Sequence, residues 1–283
     1  MIQYPLGAAG TLTRVLEAGE GDNTMLLVHG VGARADRWRL NLPGLADAGY
    51  HCYAVDLPGH GLAEKGTRFD HSVPNYAAFA RAVLDEVAAE RVYLVGTSLG
   101  GHILATVACD MPERVAGLVL VGTLGMAPIG QAARERTAGL IGDTSPEMVD
   151  RKLHSVIHDD SLVTVEMHRE EVLVNNSPGA AEGFERVSDY FANRIDDDVV
   201  GERLAELGGR FGVLLVWGRE DLGFPLAMGE AAHELLDGST LAIMDDAAHA
   251  PYFERPETFN AIVTQFLSGQ LGDEPLDGVE LRR

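Results

Sequence analysis

The sequence has only 2 cysteines, too few for a disulfide framework. Cys52 and Cys109 lie in apolar strand-like and helical runs, and read as buried reduced thiols of a cytoplasmic protein. Basic residues are also scarce: 22 Lys and Arg stand against 43 Asp and Glu, for a net charge of −21. Nucleic acid and anionic membrane surfaces both demand basic patches, so neither is an expected partner. A soluble acidic surface is the simple reading of that charge, and steering of a cationic ligand is the functional one. No apolar run reaches the length of a bilayer span, and residues 1–10 lack the basic start and apolar stretch of a secretion signal. Metal frames are missing too. His154 and His158 stand four apart without a H-E-x-x-H setting, and Asp196, Asp197 and Asp198 lack the spacing of a calcium loop. No metal and no cofactor is expected.

What is present is apolar material for a sizeable core, 46% of 283 residues, arranged in alternation. Short strand-like runs at 25–28, 50–55, 92–95 and 117–121 are separated by helical spacings at 36–48, 76–89 and 103–109. Residues 11–17 alternate weakly, as an early edge strand would. From 125 to 208 the texture changes to charged helical patterns, at 146–157, 162–174 and 183–195. Strand–helix alternation then returns with 213–217, 226–236, 240–244 and 256–267. This predicts an α/β fold with a mostly parallel central sheet flanked by helices. Residues 1–124 and 209–270 form its core, and 125–208 form an inserted helical lid over the carboxyl edge of the sheet. Residues 271–283 read as a flexible tail.

The chemistry centres on residues 92–102, VYLVGTSLGGH. A buried strand stops at Gly96, a helix starts after Ser98, and G-x-S-x-G spans the turn as a nucleophile elbow. So sharp a turn strains the serine backbone, and Gly96 and Gly100 leave room for strand and helix to pass closely. A serine hydroxyl attacks poorly unless a base takes its proton and a third group orients the base. Asp221 and His249 each fall just past the end of a later strand, which completes the order Ser98, Asp221, His249. Two N–H groups must hold the oxyanion. Leu99 supplies one, and Val31, between Gly30 and Gly32 in the loop after strand 25–28, supplies the other. His102, just past the elbow, reads as helix packing. Glu254 and Arg255 read as braces for the His249 loop.

The same loop carries a rival pattern. Gly30-x-Gly32-x-x-Ala35, with Asp56 at the end of the next strand, mimics a dinucleotide fingerprint of an NAD(P)-binding oxidoreductase. That reading leaves Ser98, Asp221 and His249 without roles. A non-catalytic receptor on the same scaffold would typically lack a triad member, and none is missing.

The segments LLVHGVGARADRW, YAVDLPGHGLAEK, VYLVGTSLGG, VWGREDLGFP and DDAAHAPYFERPETFN resemble the α/β-hydrolase superfamily from about residue 10 to 267. The resemblance implies a cofactor-independent serine hydrolase acting on a small-molecule substrate, with a homo-oligomer left open. Within the superfamily the chain looks most like the meta-cleavage-product C–C hydrolases and the small esterases and lactonases. Arg186 then falls near the arginine that holds a dienoate carboxylate in the C–C hydrolases. Thr97 stands where those enzymes carry asparagine, and Ala250 where they carry tryptophan. With His29 and Gly30 these complete the expected substrate contacts. A small or medium ester or lactone is the first expectation, and a vinylogous 1,5-diketone cleaved at carbon–carbon is the alternative.

Overall fold

The computed structural model describes residues 1–66, 68–272 and 275–283. The strands are β1 (Ile2–Ala8), β2 (Thr11–Ala18), β3 (Thr24–Val28), β4 (His51–Val55), β5 (Val92–Thr97), β6 (Val115–Val121), β7 (Gly212–Gly218), β8 (Thr240–Met244) and β9 (Val279–Arg282). Among the described residues they form one sheet in the order β1-β2-β4-β3-β5-β6-β7-β8-β9. The pairs from β4 through β8 are parallel, whereas β1–β2, β2–β4 and β8–β9 are antiparallel. The central strands are apolar on both faces because helices cover both sides.

Their residues alternate between two cores. Leu94 and Leu118 pack with Phe79, Ile103 and Leu104, on the side of α2 (Val73–Glu86) and α3 (Leu99–Asp110). Val95 and Val119 pack with Leu42, Leu45 and Phe259, on the side of α1 (Leu42–Asp47) and α11 (Pro256–Leu267). Burying each such side chain stabilises the fold by roughly 1.5–3 kcal/mol. The helical pattern over 36–48 divides into a 3-10 turn at Ala35–Trp38 and α1, with Pro43 in the first turn of α1.

Between β6 and β7 lie α4 (Gln131–Gly142), α5 (Pro146–Val156), α6 (Val165–Asn175), α7 (Ala180–Asn193) and α8 (Gly201–Ala205). α4 packs on α7 and α5 on α6, while α8 packs on α3 and α9 (Leu226–Leu235) of the sheet layer. α10 (Pro251–Glu254) follows β8. Among the described residues no helix is long and apolar enough to cross a membrane.

The expected flexible tail needs correction. Residues 279–282 pair with β8, Ile243 opposite Glu280, and cover an edge that would otherwise present unpaired N–H and C=O groups. Arg282 anchors the strand to α9 through Glu230, and Glu280 pairs with Arg219 at 2.9 Å. Asp273 and Glu274, within the stretch read as tail, lie outside the described residues.

Candidate active site

Ser98 sits between β5 and α3 at φ 54°, ψ −118°. A non-glycine residue there carries strain of about 1–3 kcal/mol, held by its surroundings. Ser98 N–H donates to the Val121 carbonyl at 2.8 Å, tying the elbow to β6. The flanking glycines are steric requirements. A Cβ on Gly96 would stand 2.4 Å from the Gly100 oxygen, and one on Gly100 would stand 2.3 Å from the Val28 oxygen.

Asp221 and His249 come from separate loops and meet. His249 Nδ1 lies 2.6 Å from Asp221 Oδ2. A carboxylate only accepts, so Nδ1 carries the proton and Nε2 is left as the basic nitrogen. The other oxygen, Oδ1, accepts from Gly223 N–H at 3.0 Å and Phe224 N–H at 2.8 Å, which fixes the carboxylate. The Phe224 ring stacks on the imidazole at 4.7 Å. Gly122, at φ +48°, leaves the space the imidazole needs, because its Cβ would stand 3.0 Å from His249 Nδ1.

Ser98, Asp221 and His249 line one cavity of 210 Å³. Sheet-edge loops form its floor. Leu140, Val149 and Leu153 of the inserted helices, with Phe184 and Phe191, give it apolar walls. Gly30, Val31, Thr97 and Ala250 also line it. The Leu99 N–H lies at the start of α3, where backbone donors have no helical partner. Among the described residues neither Val31 N–H nor Leu99 N–H donates to a protein acceptor.

Two expected substrate contacts lie elsewhere. Arg186 is exposed. Gly183, Phe184, Val187, Tyr190 and Phe191 take the inner face of α7, which turns position 186 outward. His29 is fully buried and absent from the cavity wall. Its Nε2 accepts from Leu57 N–H at 3.0 Å, so Nδ1 carries the proton and donates to the Gly30 carbonyl at 2.7 Å. Burial lowers its pKa and keeps the ring neutral. His29 therefore splints the Gly30–Val31 loop to the loop after β4.

Asp56, the acid of the dinucleotide reading, is fully buried and already engaged. It accepts from Ala35 N–H at 2.7 Å and Leu62 N–H at 2.8 Å, and pairs with Arg14 at 2.9 Å. His102 Nε2 lies 2.7 Å from the Asp198 carbonyl, away from the cavity. His154 pairs with Asp160 at 2.7 Å. Asp196 accepts from Ile129 N–H at 2.8 Å and Gly130 N–H at 3.0 Å.

Several residues of the site carry no motif. Tyr252 lines the cavity, stacks on Trp38 at 4.1 Å, and burial pushes its phenol up to about 12, so it is a neutral hydroxyl. Glu171 of α6 pairs with Arg34 at 2.8 Å, and both are buried. This ion pair ties an inserted helix to the loop carrying Val31. Glu254 binds both Ala248 N–H at 2.8 Å and His158 N–H at 2.6 Å, joining the His249 loop to the inserted segment. Arg37, Arg136 and Lys152 also reach the cavity wall, a local excess of positive charge in an acidic protein.

A strand–elbow–helix whose serine shares one cavity with an Asp-oriented imidazole, at the carboxyl edge of such a sheet, is a hydrolase arrangement. The chain belongs to the alpha/beta hydrolase family, which it matches over residues 25–262. A 2-hydroxy-6-oxononadienedioate/2-hydroxy-6-oxononatrienedioate hydrolase of Escherichia coli is 31% identical over 265 residues, covering 89% of both chains. The dihydrolipoyllysine-residue acetyltransferase component of the acetoin cleaving system of Cupriavidus necator is 32% identical over 92% of this chain and 67% of its own length. Among solved structures, a meta-cleavage product hydrolase from Pseudomonas fluorescens IP01 superposes with a TM-score of 0.83 at 26% identity, over 94% of this chain and 97% of that one.

Proposed function

We propose that Ser98 is the nucleophile of a hydrolase whose substrate is a vinylogous 1,5-diketone of the meta-cleavage-product type, cleaved at carbon–carbon. The observation that carries the reaction class is the 2.6 Å Asp221–His249 contact facing the same cavity as Ser98. His249 Nε2 takes the hydroxyl proton, Ser98 Oγ attacks the carbonyl, and the N–H groups of Val31 and Leu99 hold the oxyanion. Asp221 fixes the tautomer and stabilises the imidazolium. When the carbon–carbon bond breaks, its electron pair passes into the conjugated ketone of the leaving fragment, which takes up a proton and departs as a dienol. Water then attacks the acyl-serine and frees the carboxylic acid.

The relatives from E. coli and P. fluorescens support this substrate class. So do Arg37, Arg136 and Lys152 on the cavity wall, which suit a carboxylate-bearing substrate. Among the described residues Arg136 has no ion-pair partner. The ester or lactone reading, first from the sequence alone, now ranks second. It draws on the outward position of Arg186 and on Ala250 at the cavity wall.

Loss of dienoate absorbance, measured beside a panel of p-nitrophenyl esters and lactones with Ser98→Ala as control, tests the choice. Turnover of the dienoate is the expected result. Turnover of esters or lactones alone selects the second reading, and full activity in Ser98→Ala overturns both.

A further inference from the structure

The turn that carries the Val31 N–H is held at its two ends from different layers. Ala33 N–H donates to the Gly30 carbonyl at 3.3 Å, which closes the turn, and Gly32 takes φ +74°, a left-handed angle that favours glycine. Val31 therefore occupies the second of the four turn positions. On the near side the Gly30 carbonyl also accepts from His29 Nδ1 at 2.7 Å, so the sheet layer holds it. On the far side the Gly32 carbonyl accepts from Asn175 Nδ2 at 3.4 Å, and Asn175 is the last residue of α6.

Arg34 makes a second tie to α6. Its Nη1 reaches Glu171 at 2.8 Å, its Nη2 reaches Glu170 at 2.7 Å, and its Nε reaches Asp36 at 3.0 Å. Arg34, Glu171 and Asn175 are all buried. Desolvating two such charges costs about what their attraction returns, so the pair fixes geometry more than it adds stability. Lys65, in the loop after β4, donates to the Val174 carbonyl at 2.8 Å and pins the last turn of α6. Among the described residues Arg34 does not reach the cavity wall, so its ion pairs serve the loop and not a ligand. The steps at Ser98 give Arg34 and Asn175 no task of their own.

We propose that α6 belongs to the catalytic frame: Arg34 and Asn175 are positioning residues that hold the Val31 N–H on the oxygen of the attacked carbonyl. The inserted helix then does more than cover the cavity, since one of the two oxyanion donors is braced against it. An N–H displaced by about 1 Å loses most of its effect on the developing charge, while binding of the ground state hardly changes. This proposal rests on Val31 as an oxyanion donor to a Ser98 nucleophile and is independent of which bond is cleaved.

An ethyl fluorophosphonate, whose phosphoryl oxygen takes the oxyanion position, tests it. Intact mass follows Ser98 modification across a range of concentrations and separates the maximal rate from the half-saturating concentration. Arg34→Met and Asn175→Ala should each lower the maximal rate about tenfold to a hundredfold and leave the half-saturating concentration within about threefold. Arg34→Lys, which keeps a charge for Glu170 and Glu171, should recover most of that loss. Asn175→Ala removes one hydrogen bond and keeps the ion pairs, so it tests the same frame should Arg34→Met fail to fold. Proline suits the second position of this turn, so Val31→Pro deletes the donor itself and should slow the reaction at least as much. A slow Val31→Pro beside wild-type rates in Arg34→Met and Asn175→Ala overturns the positioning role, as does a change confined to the half-saturating concentration. A wild-type rate in Val31→Pro instead overturns Val31 as the donor, and no modification of Ser98 in wild type overturns the nucleophile.

Discussion

Acid should destabilise this protein through histidines that the fold keeps neutral. His71 is 2% exposed, and burial, reinforced by the nearby Arg186 charge, lowers it from 6.5 to about 4. Its Nδ1 lies 2.7 Å from the Tyr76 hydroxyl, and among the described residues Nε2 has no hydrogen-bond partner within reach. The unfolded chain takes up this proton near pH 6.5 and the folded chain only near pH 4. The contribution is therefore complete above the unfolded value and is lost as pH falls from there toward the folded one. One pKa unit corresponds to about 1.4 kcal/mol, so His71 alone removes about 2 kcal/mol between pH 8 and pH 5. Burial lowers His29, His60 and His102 in the same direction. Urea unfolding of wild type and His71→Gln at pH 8 and pH 5 isolates the effect. The variant should lose less stability on acidification, by about 2 kcal/mol. An identical pH dependence in the two proteins would refute the reasoning.

Other perturbations have equally definite outcomes. Ser98→Ala should lower kcat by about 10⁴ or more with the fold intact, read by steady-state kinetics beside circular dichroism. Asp221→Asn should cost about 10⁴ in kcat by leaving His249 in the wrong tautomer, and a loss below tenfold would contradict the assigned orientation. Gly100→Ala drives a methyl into the Val28 carbonyl. It should destabilise by about 1–3 kcal/mol in urea and displace the elbow enough to suppress turnover. Glu171→Ala removes the buried one of Arg34's two partners on α6, leaving Glu170 and Asp36, and should cost about 1.5–3 kcal/mol, measured by urea unfolding.

The parallel sheet was legible because its strands are short apolar runs closed by glycine-rich turns, and the elbow because its glycines are sterically forced. Asp221 and His249 could be found from their places just past strands. Substrate contacts were harder to read, because they depend on which way a helix faces. Arg186 has the right charge and an approximate position, yet the inward phenylalanines of α7 settle its direction. His29 stood in a loop with functional neighbours, and only its bonds to Gly30 and Leu57 reveal a splint. Glu171, Glu254 and Tyr252 match no motif, since their partners are distant in sequence. β9 is four residues long, too short for alternation to stand out.

The inserted helices are fastened unevenly. Glu171 grips the Arg34 loop on one margin, and Glu254 holds residues 158 and 159 beside it. Among the described residues no hydrogen bond or ion pair joins α4 to α9. The α4 margin lacks such ties to α9, so thermal breathing widens it with the least loss of bonding. Molecules would then enter and leave most readily there, and a bulky product still lodged there would delay the next arrival.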